Sequence, residues 1–283
     1  MPKLLSVDEV TAYRDRGYHF PIDALSASEV ADFRRKLEDY EAGSGGPIKA
    51  EMRHRSHVLF TWIDEMIRHP KILDAMEDLL GPNILCWNTS FFIKEARDSG
   101  FVSWHQDATY WGLSSSDVAT AWIAISPANR VSGCMKFIAG THQSQVKHED
   151  TFDQNNLLTR GQEIAVDVDE AKAVYVELKP GQASLHHVLL FHGSEPNRSD
   201  DRRIGLAIRY IPTHLKQAVG MRDWRRWCAA RIRTATFNPH TCQSATSSPR
   251  HSPFTRKYRR SRCACFIAAP ARPPIGREDV CRV

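Results

Sequence analysis

Four polar side chains have the types and spacing needed to bind a metal ion together with an anion. His105 and Asp107 stand two residues apart inside a stretch that reads as a β-strand. Side chains i and i+2 share one face of a strand, so this imidazole and this carboxylate can reach the same ion. A single His-x-Asp pair is a weak signal by itself, because most such pairs are accidental. Two later residues, His192 and Arg203, make the set more informative.

His192 ends an apolar, strand-like stretch, and a tight turn at 193–197 leads on towards Arg203. We expect this turn to return the chain antiparallel, so that Arg203 faces the same cavity as His192. His105, Asp107 and His192 would then form a two-histidine, one-carboxylate triad. Such a triad leaves one face of an octahedral metal open and is typical of non-haem Fe(II) oxygenases. The planar, always charged guanidinium of Arg203 suits the far carboxylate of a co-substrate.

Neighbouring residues compete for these roles. His186 has the strand parity of His192, whereas His187 points the other way. For both of them the alternative is ordinary packing or a hydrogen bond to a ligand of the metal. Arg202 competes with Arg203, but strand alternation and the eleven-residue offset from His192 favour Arg203.

Other residues near the candidate site have two interpretations each. Tyr110 and Trp111 follow the carboxylate closely and could contact a substrate, or could pack as a loop on the rim. Arg209 falls on the same strand face as Arg203, but it could simply form a surface ion pair. From the residues alone, Trp122 is best interpreted as a core aromatic side chain.

The N-terminal part of the chain, residues 1–82, is predicted to be helical. Ser6 to Glu9 and Ser26 to Glu29 are Ser-x-x-Glu capping boxes, and each opens an amphipathic run. A third helix is predicted from Pro70 to Leu80, where Gly-Pro follows.

From residue 84 the hydrophobic period changes to that of β-strands. Short apolar segments separated by turn signals lie at 84–95, 102–110, 120–126, 135–139, 173–177, 183–190 and 204–211. Short strands in this rhythm predict an antiparallel sandwich or jelly roll rather than a parallel βαβ sheet.

Length and composition allow one large domain, or a domain with an appendage, among the 283 residues. The hydrophobic content of 42% is sufficient for a substantial core. No apolar run approaches the roughly 20 residues of a membrane helix, and the early residues are too charged for a secretory signal. The seven cysteines lack the spacing of a disulfide framework. We therefore expect a cytoplasmic protein without membrane association.

The basic charge of the chain is concentrated after residue 218. Residues 219–283 hold 14 Lys and Arg against 3 Asp and Glu, together with five of the seven cysteines. We expect helical structure to reach as far as 224–227, followed by a basic, Cys/Ser/Pro-rich tail that is disordered or non-native, such as the product of a shifted reading frame. A basic run at 256–262 offers the alternative of electrostatic nucleic-acid binding, which we consider the weaker interpretation.

Several segments together resemble one known family. They are Trp104-His105-Gln106-Asp107, Ala121-Trp122, Ser132-Gly133-Cys134-Met135 leading to Gly140-Thr141-His142, and His192-Gly193-Ser194 with Asn197 and Arg203. In these segments the chain resembles the phytanoyl-CoA dioxygenase family of Fe(II)/2-oxoglutarate-dependent oxygenases. The resemblance covers about Ser6 to Leu215, the whole of a predicted catalytic domain, residues 1–218.

The resemblance implies a fold and a set of roles. The fold is mainly β with N-terminal helices, a double-stranded β-helix of the jelly-roll or cupin type, with the barrel at residues 83–216. His105, Asp107 and His192 would bind Fe(II), and Arg203 would pair with the distal carboxylate of 2-oxoglutarate. Other candidates for holding 2-oxoglutarate are Ser194, Trp122, Lys94 and Asn88.

The predicted function is a dioxygenase that uses O2 and 2-oxoglutarate to hydroxylate a small organic substrate, with release of succinate and CO2. The carboxylate of Asp107 favours hydroxylation, because related halogenases have a small residue in its place. One alternative is a zinc hydrolase-like barrel, which would have no need of Arg203. The other is a nucleic-acid-binding protein acting through the tail. The sequence identifies neither the substrate nor the oligomeric state.

Overall fold

The computed structural model of the protein describes residues 2–219 and the strand at 226–229. Its first part contains five α-helices and one strand. Their bounds are α1 Val7–Arg16, β1 Tyr18–Asp23, α2 Ala27–Ser44, α3 Ala50–Arg53, α4 Thr61–Met66 and α5 Pro70–Leu80. Within the described residues, no helix is long and apolar enough to cross a membrane.

Local signals explain where helices α1 and α2 begin. In α1 the Ser6 side chain accepts from the backbone N–H of Glu9, and the Glu9 carboxylate accepts from the backbone N–H of Ser6. The same reciprocal pair, Ser26 with Glu29, opens α2. Each capping box satisfies two backbone donors that the first turn leaves free, so both predicted helix starts are confirmed.

The rest of the described chain is built mainly from β-strands. They are β2 Ile84–Lys94, β3 Val102–His105, β4 Ala119–Ala124, β5 Met135–Ile138, β6 His148–Asp150, β7 Gln162–Ile164, β8 Val174–Val176, β9 Gln182–His187, β10 Phe191–Ser194, β11 Arg203–Pro212 and β12 Arg226–Ala229. A six-stranded sheet has the order β1-β9-β4-β11-β2-β12, and a four-stranded sheet has the order β3-β10-β5-β8. All pairings within them are antiparallel.

The six-stranded sheet buries both of its faces. One face packs on the helices, where Ile204, Leu206 and Ile208 of β11 join the largest apolar cluster. The other face meets the four-stranded sheet, and Trp122 of β4 shares a smaller cluster with Phe137 of β5. Two facing antiparallel sheets with helices outside form the predicted mainly β, jelly-roll architecture.

The structure corrects the prediction in three places. The part predicted to be helical contains β1, which pairs with β9 at the sheet edge. The apolar stretch predicted as one strand is two strands, β9 and β10, which belong to different sheets. Beyond residue 218, Arg226 and Trp227 lie in strand β12, which pairs with β2, and not in a helix. The remaining predictions for the tail fall outside the described residues.

Candidate active site

Three side chains converge at one end of the space between the two sheets. His105 is the last residue of β3, Asp107 opens the short 3-10 helix that follows, and His192 lies opposite His105 on β10. One ligand atom of each lies within 4.8 Å of the others. The Nε2 atom of His105 is 3.5 Å from Oδ1 of Asp107. Asp107 therefore reaches the histidines from a helical turn, and not from the strand face that the spacing suggested.

Backbone carbonyls fix which nitrogen of each histidine is available. Nδ1 of His105 lies 3.0 Å from the carbonyl of Ser103, and Nδ1 of His192 lies 2.9 Å from the carbonyl of Leu190. A carbonyl only accepts, so both Nδ1 atoms carry the proton. The Nε2 atoms then have a free lone pair, which is the form that binds a metal.

The charges around the triad favour the ionisation state of a metal site. Burial works against ionisation of Asp107, but the positive charge of the Arg209 guanidinium holds the pKa of this carboxyl well below its usual range. Burial lowers the pKa of His192 far below that of a free histidine. Two imidazoles and one carboxylate form a donor set that fits Fe(II) and leaves coordination positions open.

The opposite end of the cavity holds a buried cation that pairs with no anion among the described residues. Arg203 is only 1% exposed, and its Nη1 donates to the carbonyl of Gly133 at 3.1 Å. Its Nε and Nη2 atoms have no hydrogen-bond partner within the part of the chain that the structure describes. A buried charge left in this state is unfavourable until an anion binds. Arg203 is thus suited to a carboxylate ligand.

Three of the other predicted co-substrate residues lie around Arg203. Lys94 is its cross-strand neighbour on β2 and donates to Oγ of Ser194 at 2.8 Å. The guanidinium carbon of Arg203 is 5.4 Å from the ring centroid of Trp122. A Cβ at Gly205 would collide with this indole, so the glycine lets Trp122 lie against β11. Burial, and then the charge of Arg203, lower the pKa of Lys94 to about 6.

Asn88 is not brought to this end. It lies on β2 opposite Arg209, six residues before Lys94 along the strand. A role in holding 2-oxoglutarate beside Arg203 therefore stays a prediction that this geometry does not favour.

The two ends share one cavity. Its lining includes the triad, Arg203, Ser194 and Trp122, together with residues that sequence reasoning did not assign to the site. Those residues are Phe92, Val102, Thr120, Met135, His186, Gly193, Ala207 and Arg209. His186 lies on β9 with its ring centroid 5.1 Å from that of His192, so it faces the site from the opposite sheet.

Arg209 belongs to the cavity, so the structure favours the strand face shared with Arg203 over the alternative of a surface ion pair. It is 5% exposed, and its Nη2 atom lies 3.6 Å from Oδ2 of Asp107. Its guanidinium is 5.2 Å from the ring centroid of Trp111. The signal was its strand parity with Arg203 on β11, a strand whose ten residues are all buried.

The route that joins His192 to Arg203 also differs from the expected hairpin. His192 is on β10 of the four-stranded sheet, and Arg203 is on β11 of the six-stranded sheet. The two residues face each other across the space between the sheets. The segment 195–202 passes from one sheet to the other. The two residues do face one cavity as predicted, but strand alternation after a tight turn is not what brings them there.

A jelly roll that places two histidines and a carboxylate in one cavity with a buried arginine has the fold and site of the Fe(II)- and 2-oxoglutarate-dependent oxygenases. A model of the phytanoyl-CoA dioxygenase (PhyH) family matches residues 2–205. The chain belongs to the phytanoyl-CoA dioxygenase family. The family acts on small-molecule substrates.

Individual relatives agree with this assignment. The chain is 27% identical over 219 residues to a "Probable alpha-ketoglutarate-dependent hypophosphite dioxygenase" of Stutzerimonas stutzeri, covering 70% of this chain and 76% of that protein. It is 30% identical over 147 residues to the peroxisomal phytanoyl-CoA dioxygenase of Homo sapiens, covering 50% and 43%. The solved structure of the non-heme monooxygenase ThoJ in its apo form superposes with a TM-score of 0.76 at 31% identity, covering 92% of this chain and 95% of that one.

Proposed function

We propose that this protein is an Fe(II)- and 2-oxoglutarate-dependent dioxygenase that hydroxylates a C–H bond of a small organic substrate. The observation that supports the proposal best is the presence, in one cavity, of a metal-ligand cluster and a buried guanidinium that has free donors among the described residues. A zinc hydrolase would use the cluster but not Arg203, so this alternative is not favoured. The basic run that suggested nucleic-acid binding lies outside the described part of the chain. No described residue supports that alternative.

His105, Asp107 and His192 would hold Fe(II) through two Nε2 atoms and one carboxylate oxygen. Bound Fe(II), with 2-oxoglutarate and O2, would supply the oxidising chemistry, whose products are the hydroxylated substrate, succinate and CO2. The chain itself holds the metal ligands in position and encloses the site. Nδ1–H donation to backbone carbonyls fixes both imidazole planes, and the buried cavity limits access of water.

The far carboxylate of 2-oxoglutarate would bind between Arg203 and the Lys94–Ser194 pair. Nε and Nη2 of Arg203 are its unpaired donors, and Lys94 donates to Ser194 from the neighbouring strand. A planar guanidinium can bind a carboxylate through two parallel hydrogen bonds, which fixes orientation as well as adding energy. The indole of Trp122 gives this end of the cavity a flat wall.

Asp107 favours hydroxylation over halogenation. Its carboxylate lies in the cluster, where it would occupy the coordination position that a halide needs. The pKa of this carboxyl is held low, so it stays an anionic ligand throughout the neutral pH range.

The test is an anaerobic titration of the full chain with Fe(II) and then 2-oxoglutarate, followed by visible absorption. We expect a weak metal-to-ligand charge-transfer band, which is absent in His192→Ala and strongly weakened in Arg203→Met. The matched control is Arg202→Gln, because Arg202 pairs with Glu41 and does not line the cavity.

A folded protein that binds Fe(II) but shows no band with 2-oxoglutarate would refute the proposed function. Hydrolytic activity with zinc in the same protein would then favour the alternative. Folding of each variant is checked by far-UV circular dichroism before the spectra are compared.

We further propose that residues 1–218 form the catalytic domain, since every residue assigned to the site lies within them. The part of the tail beyond β12 is proposed to add no catalytic group and to be a non-native extension. Sequencing the encoding gene tests this: an intact reading frame with the same tail in close relatives would contradict it.

A further inference from the structure

A row of polar side chains crosses the cavity face of the six-stranded sheet near the metal-ligand cluster. Asn88 of β2 lies opposite Arg209 of β11, Arg209 lies opposite Thr120 of β4, and Thr120 lies opposite His186 of β9. Cross-strand neighbours on one face stand about 5 Å apart. The four side chains therefore form a continuous polar line beside the metal, at the opposite end of β11 from Arg203.

Each member of this row has a buried polar atom without a hydrogen-bond partner among the described residues. The atoms are Oδ1 of Asn88, Nε of Arg209, Oγ1 of Thr120 and Nδ1 of His186. A buried polar atom without a partner is unfavourable, and such atoms are rare in native proteins. Four of them in adjacent positions indicate that a ligand supplies the missing partners.

Arg209 already has two contacts, but they do not use its full capacity. Nη1 donates to Oγ of Ser90 at 2.8 Å, and Nη2 lies 3.6 Å from Oδ2 of Asp107. The second distance exceeds that of a good hydrogen bond. A guanidinium has five N–H donors, so Arg209 can bind a further oxyanion while it stays close to Asp107.

The charges that line the cavity lead to the same conclusion. The lining contains two guanidinium groups, Arg203 and Arg209, and one carboxylate, Asp107. Fe(II) adds two positive charges, and the 2-oxoglutarate dianion removes two. One positive charge then remains without a partner in a buried cavity, which is unfavourable unless a monoanion binds. Arg203 is assigned to 2-oxoglutarate, so the remaining charge is that of Arg209.

We infer that the substrate carries one oxyanionic group, a carboxylate or a phosphorus oxyanion, which Arg209 binds beside the metal with Thr120 and His186 as flanking hydrogen-bonding groups. The inference rests on the proposed function and names its substrate class. The same cavity must also hold 2-oxoglutarate, so we expect a small acid, or the acidic end of a larger molecule.

The position of Arg209 also restricts which bond is oxidised. Its Nη2 lies 3.6 Å from a carboxylate oxygen of Asp107, which is itself a proposed metal ligand. An acid group bound there lies beside the metal. The oxidised bond is therefore within a few bonds of the acid group, and not at the far end of a long chain.

The test uses the full chain loaded anaerobically with Fe(II) and saturating 2-oxoglutarate, so that Arg203 is occupied. The charge-transfer band is recorded while short monocarboxylates, their uncharged amides, methylphosphonate or hypophosphite are added. We expect at least one acid to shift the band, with the matching uncharged amide about 10–100-fold weaker, because a charged hydrogen bond contributes about 1.5–3 kcal/mol. Tighter binding of the monocarboxylates would indicate a carboxylate substrate, and tighter binding of methylphosphonate or hypophosphite would indicate a phosphorus oxyanion.

Three variants locate the effect. Arg209→Gln should lose the preference for acid over amide and keep the affinity for 2-oxoglutarate, and Arg209→Lys should restore part of that preference. Thr120→Val, which leaves the contact with Asp107 intact, should weaken acid binding several-fold. The charge-matched control is Arg97→Gln, since Arg97 is exposed and pairs with Asp200 at the surface.

Each other outcome overturns the inference in a recognisable way. If no acid in the series shifts the band, the substrate is not a small oxyanion. If Arg209→Gln abolishes the 2-oxoglutarate band itself, Arg209 only positions Asp107. Equal binding of acids to the Arg209→Gln variant and the unmodified chain would place the anion elsewhere. A missing band in the unmodified chain would instead be a failure of the proposed function.

Discussion

The two faces of strand β11 show two different uses of burial. On the helix side, Ile204, Leu206 and Ile208 are fully buried in the largest apolar cluster. On the cavity side, Arg203 and Arg209 are almost as deeply buried, yet both have donor atoms without partners in the described part of the chain. The helix side lowers the free energy of the folded state, whereas the cavity side raises it until ligands bind. The alternation of side chains along β11 therefore places the stabilising residues on one face and the candidate ligand-binding residues on the other.

The largest effect on stability should come from the helix side. Ile208→Ala removes a fully buried side chain and should lower the free energy of unfolding by about 2–5 kcal/mol. Urea denaturation measures this change, and Ile208→Val, expected at about 0.5–1.5 kcal/mol, is the matched control. If Ile208→Ala lowers the free energy of unfolding by less than Ile208→Val, the helix side is loosely packed. The contrast between a stabilising face and a ligand-binding face of β11 would then not hold.

The cavity side should respond in the opposite direction. Arg203→Met replaces an incompletely paired buried charge with an apolar chain, so the free energy of unfolding without ligands should rise by about 1–4 kcal/mol. Affinity for 2-oxoglutarate, measured by calorimetry, should fall about 10–100-fold, because charged hydrogen bonds are lost. A less stable variant would show that the protein itself already satisfies Arg203.

Lys94 should make the stability of the ligand-free protein depend on pH. Its pKa is about 6 in the folded state, against 10.5 for a lysine side chain in water, so between these values the unfolded chain binds the extra proton. Stability should therefore rise with pH, by up to about 1.4 kcal/mol per pH unit. Denaturation of the unmodified chain and of Lys94→Met at pH 7 and pH 9 isolates this contribution. The free energy of unfolding of Lys94→Met minus that of the unmodified chain should decrease as pH rises. A difference that does not change with pH would contradict the lowered pKa of Lys94.

The smallest effect should come from the cap of α2, far from both faces of β11. Ser26→Ala removes the acceptor for the backbone N–H of Glu29 and should lower the free energy of unfolding by about 1 kcal/mol. Binding of Fe(II) and 2-oxoglutarate should not change. Ser28→Ala in the same turn is the control, because Ser28 does not cap the helix. A loss of 2-oxoglutarate binding in Ser26→Ala would mean that the helices help to shape the cavity.

Local signals predicted the elements that depend on local physics. The capping boxes at Ser6 and Ser26 depend on residues three apart, so the sequence alone located both helix starts. The shift to strand periodicity after residue 84 likewise predicted the sheets. Strand β1 was missed because Tyr18–Asp23 is short and adjoins helices on both sides, and only pairing with the distant β9 makes it a strand.

The site was predicted in composition but not in geometry. The triad and Arg203 follow motifs that a sequence displays directly, although the route between His192 and Arg203 was wrong. That error arose because an apolar run does not show where a chain leaves one sheet for another, here between β9 and β10. The two interpretations of Arg209 stayed open for a related reason: parity gives the face of a residue, but burial of that face depends on the opposite sheet.

The outer edge of β2 has a practical consequence for shortening the chain. Ile84 to Cys86 pair with β12, and further along the strand Arg55 donates its backbone N–H to the carbonyl of Thr89. A protein cut at residue 218 would lose β12 and present an open row of backbone donors and acceptors. Such an edge invites intermolecular strand addition and aggregation. A version that ends after Ala229 should remain monodisperse in light scattering where the shorter one does not.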